Sequence, residues 1–344
     1  MPAPLLLRLV FPLSRGEISG GHLYNERLAE GLAECGALST LSIDDLVPEL
    51  TRGSSGFFLL DSLDLDRVEG LPAPAADQRL GFIAHHLPSL DCFGAEAAEA
   101  RALAQARERQ LLSRFDLVVA TGTFAADYLR GLGVAPERLV MIPPAPPPRP
   151  PAVPRPLTPP VRALLVANVI PRKGVIEFLE ALHAGLRADH ALDLAIVGRL
   201  DLDAEYASRC GRFVASTTLS RVVRLVGAVP PDEVGSYYAQ AHVLVSPSRM
   251  ETFGMALQEA RSFGVPILAF DAGNVREHVP GENGRLFASI AGVAAALLEL
   301  VDDEPELSRL LSAAASSRPP ADYDWAAAAK TLLQACGRWP ALDR

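Results

Sequence analysis

The stretch "RALLVANVIPRKGVIEFLEALHAGLRADHALDLAIVGRL", residues 162–200, decides the fold. Two short apolar runs, "RALLVANV" and "DLAIVGRL", flank a segment "GVIEFLEALHAGLRA" whose apolar residues recur at helical spacing. Strand, helix, strand in this order implies two parallel strands joined by a crossover helix. The same alternation extends outward. Towards the N-terminus the candidate strands are "LLLRLVF", "GFFLLDSL", "LGFIAHHL", "FDLVVATG" and "RLVMIPP". Towards the C-terminus they are "VVRLVGAV", "HVLVSPS" and "VPILAF". Such a chain predicts parallel sheets covered by helices on both faces.

One stretch interrupts the alternation. "PPAPPPRPPAVPRPLTPP", residues 143–160, is more than half proline and fits neither a helix nor a central strand. It reads as a stiff linker between two doubly wound domains, each open at the carboxyl ends of its strands, where such sheets bind ligands. The expected division is 1–145, a linker at 146–160, a second domain at 161–320, and a closing helix at 321–344.

Composition excludes several classes. A chain of 344 residues, 49% of them hydrophobic, is long enough for two cores. A net charge of −9 argues against nucleic acid as a partner. The four cysteines are scattered without metal or redox spacing, which fits a reducing, cytoplasmic setting. "MPAPLLLRLVFPL" reads as a first strand, and no run reaches the roughly 18 apolar residues of a membrane span.

The chemistry concentrates in "SPSRMETFGMALQEARSFGVPILAF", residues 246–270. A helix starting at Thr252 or Phe253 would leave the N–H groups of Phe253, Gly254, Met255 and Ala256 free to bind an anion. Glu251 would sit at that helix end and Glu259 roughly 10 Å further along. Two carboxylates around an anion site suit an elongated ligand with hydroxyls at both ends and phosphate between, as in a nucleotide sugar. The plainer alternative makes Ser248 and Glu251 a capping box and Glu259 a solvated helix residue.

Here the sequence resembles the glycosyltransferases of GT-B fold, in particular the large retaining family 4. Glu251-Thr-Phe-Gly-Met-Ala-Leu-Gln-Glu259 matches their E-x7-E with its internal F-G, and "VGAVPPDEVGSYYAQAHVLVSPS" and "SFGVPILAFDAGNVREHVPGENGRLF" match the flanks. The resemblance implies two Rossmann-like domains facing a central cleft, the first on the acceptor side and the second binding the donor. It implies that Glu251 binds donor-sugar hydroxyls, Glu259 the ribose, and the 253–256 amides the sugar and diphosphate. Lys173, before Gly174, matches the diphosphate lysine. Asn168 stands where the family has an arginine, with Arg172 the candidate replacement. Gly20-Gly21 matches a G-G loop of the first domain, and His85 a histidine that contacts the donor sugar, with His86 as the alternative. His85, Lys173 and Glu251 are thus the candidate catalytic residues.

A retaining hexosyl transfer from a UDP-, GDP- or ADP-sugar is then expected, without metal or other cofactor, onto an unidentified acceptor hydroxyl. Alternatives are a non-catalytic or partner-regulated sugar-nucleotide-binding GT-B protein and a GT-B epimerase or phosphorylase. "EARALAQARERQLLSRFD", with Arg101, Arg107, Arg109 and Arg114, reads as a solvated helix, the alternative being peripheral contact with the inner face of the membrane.

Overall fold

In a computed structural model the structure describes residues 7–11, 19–36, 38–53, 55–147, 155–317 and 323–337. The chain forms two compact units, Met1–Ala145 with Asp322–Arg344, and Pro146–Ala321. The middle of the proline-rich stretch, residues 148–154, lies outside the described residues.

The first unit holds a parallel sheet of β1 (Leu7–Phe11), β2 (Leu38–Ser42), β3 (Gly56–Asp61), β4 (Gln78–Ala84), β5 (Leu117–Ala120) and β6 (Leu139–Met141). Its order is β2-β1-β3-β4-β5-β6. Burial follows from the pleat. Phe57 and Leu59 face one side of β3, Phe58 and Leu60 the other, and all four are at most 1% exposed. Both faces are therefore covered, which only an apolar run without alternation supports. The helix Trp325–Cys336 completes one of these layers, packing Ala328, Ala329 and Leu332 against Leu28 and Leu32 of the helix Gly20–Glu34 and their neighbours. Trp325 meets Tyr24 edge-on at 5.2 Å. Each large side chain so buried contributes about 1.5–3 kcal/mol.

The second unit holds β7 (Val161–Val166), β8 (Leu192–Val197), β9 (Val223–Gly227), β10 (Val243–Ser246), β11 (Ile267–Phe270) and β12 (Gly284–Phe287), ordered β12-β11-β10-β7-β8-β9. One face carries the helices Val175–Gly185, Ala204–Ser216 and Ile290–Asp302, and the other carries Pro231–Gln240 and Met255–Phe263. At the described end of the proline-rich stretch, the Arg155 guanidinium donates to the carbonyls of Ala239, Gly264, Tyr238 and Phe263.

Every strand expected from sequence is present, and two more appear, β2 and β12, each at a sheet edge. Each sheet also has a switch point, where the chain reverses its direction of strand addition. It lies between β1 and β3 in the first unit and between β7 and β10 in the second.

Candidate functional site

In the second unit the loops that follow β7 and β10 are tied together. Arg249 donates its backbone N–H to the Arg172 carbonyl at 2.9 Å, and Arg172 Nη1 donates to the Met250 carbonyl at 3.2 Å. Gly174 allows this approach. Its φ is +64°, and a Cβ there would lie 2.4 Å from the Pro247 carbonyl oxygen. The result brings Lys173 Nζ to 2.6 Å from Glu251 Oε1, with the two side chains only 15% and 14% exposed. Burial lifts the Glu251 carboxyl, but Lys173, Arg172 and a hydrogen bond from Ser248 outweigh it and hold the group below its usual range. Lys173 is thus a partner of Glu251 and not an ordinary exposed lysine.

The helix after β10 begins at Met255, later than the expected Thr252 or Phe253, because Gly254 takes φ +95° and stands outside it as the N-cap. Ser248 and Glu251 therefore form no capping box. Met255 and Ala256 occupy the first turn, where backbone N–H groups have no intrahelical partner.

Residues 271–278 brace the loop ahead of this helix, a feature absent from the sequence reading. Asn274 donates its N–H to the Glu251 carbonyl at 2.8 Å and its amide to the Phe253 carbonyl at 3.2 Å. The same Phe253 carbonyl accepts from His278 Nε2 at 2.7 Å, while the Phe253 ring meets the His278 ring edge-on. Burial lowers His278 to about 4, so the ring is neutral and donates from Nε2. In a trans peptide the C=O and the next N–H point in opposite directions. With both carbonyls pulled towards 271–278, the N–H groups of Thr252 and Gly254 project away from it.

Glu259 lies just over one helical turn inside, about 6 Å from the first residue by helical rise. It is half-buried, and burial pushes its carboxyl up to about 7 against the opposing hydrogen bond of Tyr238. The single Tyr238 hydroxyl proton is shared with the Ala256 carbonyl, 3.0 Å away. Glu259 is accordingly no solvated surface residue. Among the described residues it has no positive partner of the kind Lys173 gives Glu251.

Asn168, in the arginine's place, accepts the Arg199 N–H at 3.2 Å and so bridges the ends of β7 and β8. Arg199 itself pairs with Asp201, a turn contact. The start of the helix Val175–Gly185 is capped from outside, the Tyr206 hydroxyl accepting the Ile176 N–H at 3.0 Å.

In the first unit, Gly20 and Gly21 open the helix Gly20–Glu34, with Ser19 as N-cap. The doublet after β4 separates cleanly. His86 turns towards Asp91, its Nε2 3.0 Å from Oδ1. His85 is buried beside Tyr24, its Nε2 2.9 Å from Asn25 Oδ1. Asn25 Nδ2 in turn donates to Asp61, the last residue of β3. Burial, with some repulsion from His22, lowers His85 to about 3, and burial raises Asp61 to about 7. Asn25 and Asp61 are further residues that sequence did not single out; the signal was a polar residue at each side of the switch point.

The arginine-bearing helix is Ala98–Leu112. Arg101 donates to the Cys92 and Gly94 carbonyls, and Arg114, just beyond the helix, to those of Glu69 and Leu71. Arg107 and Arg109 are exposed. No helix among the described residues is long and apolar enough to cross a membrane.

The chain is similar to known proteins in sequence and in fold. Residues 160–303 match the family Glycosyl transferases group 1, and residues 70–145 match the Glycosyl transferase 4-like domain. D-inositol 3-phosphate glycosyltransferase of Corynebacterium diphtheriae is 34% identical over 131 residues, 37% of this chain and 30% of that protein. MMP alpha-(1->4)-mannosyltransferase of Mycolicibacterium hassiacum is 30% identical over 206 residues, 57% of this chain and 47% of that protein. The chain thus spans less than half the length of either relative. Among solved structures, Anabaena HepE in complex with UDP and glucose superposes with TM-score 0.72 at 15% identity, over 97% of this chain and 100% of that one. Sucrose-phosphate synthase from Thermosynechococcus elongatus gives 0.74 at 18% identity, over 96% and 98%. The fold is GT-B.

Proposed function

The chain belongs to the group 1 glycosyltransferases of the GT4 kind, and from that premise we infer that it transfers a hexosyl unit from a nucleotide diphosphate sugar to an acceptor hydroxyl, with retention. The observation that carries this reading is the Lys173–Glu251 pair, held at the mouth of an amide-lined helix start with Glu259 one turn behind. The arriving diphosphate would compete with Glu251 for Lys173 Nζ. Glu251 would then be free to accept hydrogen bonds from the donor sugar, and Glu259 from the ribose.

Transfer would proceed by attack on the same face from which the diphosphate leaves, the departing oxygen taking the acceptor's proton. Catalysis would then come mainly from charge stabilisation of the leaving group by Lys173, Arg172 and the 254–256 amides, and from orientation. Such a site meets the diphosphate charge with its own cations and needs no metal. HepE, a structural neighbour, is described in complex with UDP and glucose, which supports a uridine-linked donor as the first to try.

A second reading has one observation in its favour. Asn168 puts an uncharged amide, already committed to the Arg199 backbone, where the family has a cation. A protein that binds a sugar nucleotide without transferring the sugar would tolerate that loss. Nucleoside diphosphate release from UDP-, GDP- and ADP-hexoses, with water and simple glycosides as acceptors, separates the two. An α-linked product from an α-donor supports the first reading. A β-linked product overturns retention, and binding without release favours the second.

A further inference from the structure

The first unit carries a buried polar chain whose direction is fixed by the chemistry of its last member. Asp61, Asn25 and His85 are 3%, 2% and 7% exposed. Asp61 Oδ1 accepts the Leu63 N–H at 2.8 Å, and its Oδ2 accepts from Asn25 Nδ2. Burial raises Asp61 to about 7, so at pH 8 the carboxyl is mostly ionised and only accepts, and the amide then turns its NH2 towards Asp61 and its oxygen towards His85. An amide oxygen also only accepts. His85 Nε2, 2.9 Å away, must therefore carry the proton.

We propose that Asn25 and Asp61 are positioning residues that lock His85 in its Nε2–H tautomer, so that the ring meets its ligand through Nδ1 as a hydrogen-bond acceptor from a hydroxyl. The surroundings agree. Ser62 Oγ accepts the His85 N–H at 2.9 Å and sets the backbone, and the Tyr24 ring holds the imidazole edge-on at 5.1 Å. The Cγ end of the ring packs against Gly21. A Cβ there would come within 3.3 Å of His85 Cγ and 3.0 Å of Leu63 Cδ2, so residue 21 must be small for the ring to keep its place. A ring buried enough to stay neutral cannot donate from Nδ1 while Nε2 holds the proton. That a ligand hydroxyl is the partner rests on the glycosyl-transfer reading; the lock itself does not.

Asp61→Asn tests the lock. Because the Leu63 N–H holds one oxygen of residue 61, the new amide nitrogen replaces the oxygen that faces Asn25. It would donate to Asn25, reverse that amide, and force His85 into the Nδ1–H tautomer with little change of shape. Long-range proton–nitrogen NMR of histidine-labelled protein at pH 8 reads the tautomer directly, with His85→Gln identifying the signals. We expect Nε2–H in the wild type, Nδ1–H in Asp61→Asn, and a loss of turnover of at least about tenfold in that variant. Nδ1–H in the wild type, or Nε2–H retained in a folded Asp61→Asn, overturns the lock. Should the variant not fold, the wild-type spectrum alone decides. Inversion with unchanged turnover would overturn the role of Nδ1 as the acceptor for a ligand hydroxyl while the lock stands.

Discussion

At the switch point of the first unit the chain gathers neutral groups, a buried histidine and amide over Asp61. At the switch point of the second it gathers charge: Lys173, Arg172 and Glu251 beside a helix start. The topologies correspond, but the means of recognition differ. A network of amide and imidazole acts through the direction of its hydrogen bonds, and one reversed amide is enough to spoil it. A charged one acts through its field, so its ion pair can exchange partners when an anion arrives. Within the second unit the same contrast recurs between Glu251, which has Lys173, and Glu259, whose partner among the described residues is a tyrosine hydroxyl.

Lys173→Ala breaks the comparison most severely. On the proposed mechanism it removes the charge that would meet the leaving group, and turnover should fall about 10²–10³-fold. The change also leaves Glu251 unpaired, which itself destabilises, so Lys173→Ala/Glu251→Gln should recover thermal stability without recovering turnover. Near-normal turnover in either would remove Lys173 from the mechanism.

His278→Phe probes how far the amides depend on their brace. The Phe253 carbonyl loses a buried donor, and the Gly254 N–H its direction. Donor affinity should drop about tenfold, with a fall in melting temperature of a few degrees. Unchanged affinity would show that Asn274 alone orients the loop.

The smallest effect concerns pH and separates the two glutamates. Glu259 is raised to about 7, so the free protein is stabilised by its neutral form at low pH and loses that contribution as pH rises through 7. Ribose hydroxyls are better held by the ionised form, so donor affinity should rise several-fold between about pH 6 and pH 8. Glu259→Gln should flatten the profile. Glu251, already held low by its cationic neighbours, should contribute no slope there.

The fold was largely legible because central parallel strands announce themselves as unbroken apolar runs. "LSTLS" and "GRLF", the edge strands β2 and β12, bury less and carry polar residues, so nothing in their composition separates them from loops. The E-x7-E pair, Lys173 and the buried member of the histidine doublet were visible as local patterns. The helix start was misplaced because the left-handed conformation of Gly254 is a backbone fact that residue types do not state. Asn274, His278, Asn25 and Asp61 escaped for another reason: each acts through a contact across the fold, His278 with Phe253 over 25 positions and His85 with Asn25 over 60.

Calorimetric titration of the wild type and Glu259→Ala with UDP-, GDP-, ADP- and CDP-sugars tests the central claim most directly. The account predicts binding of one nucleotide class, weakened about 10–100-fold in the variant. Equal binding by both proteins, or none by either, would contradict a donor site built on Glu259 and the helix start at Met255.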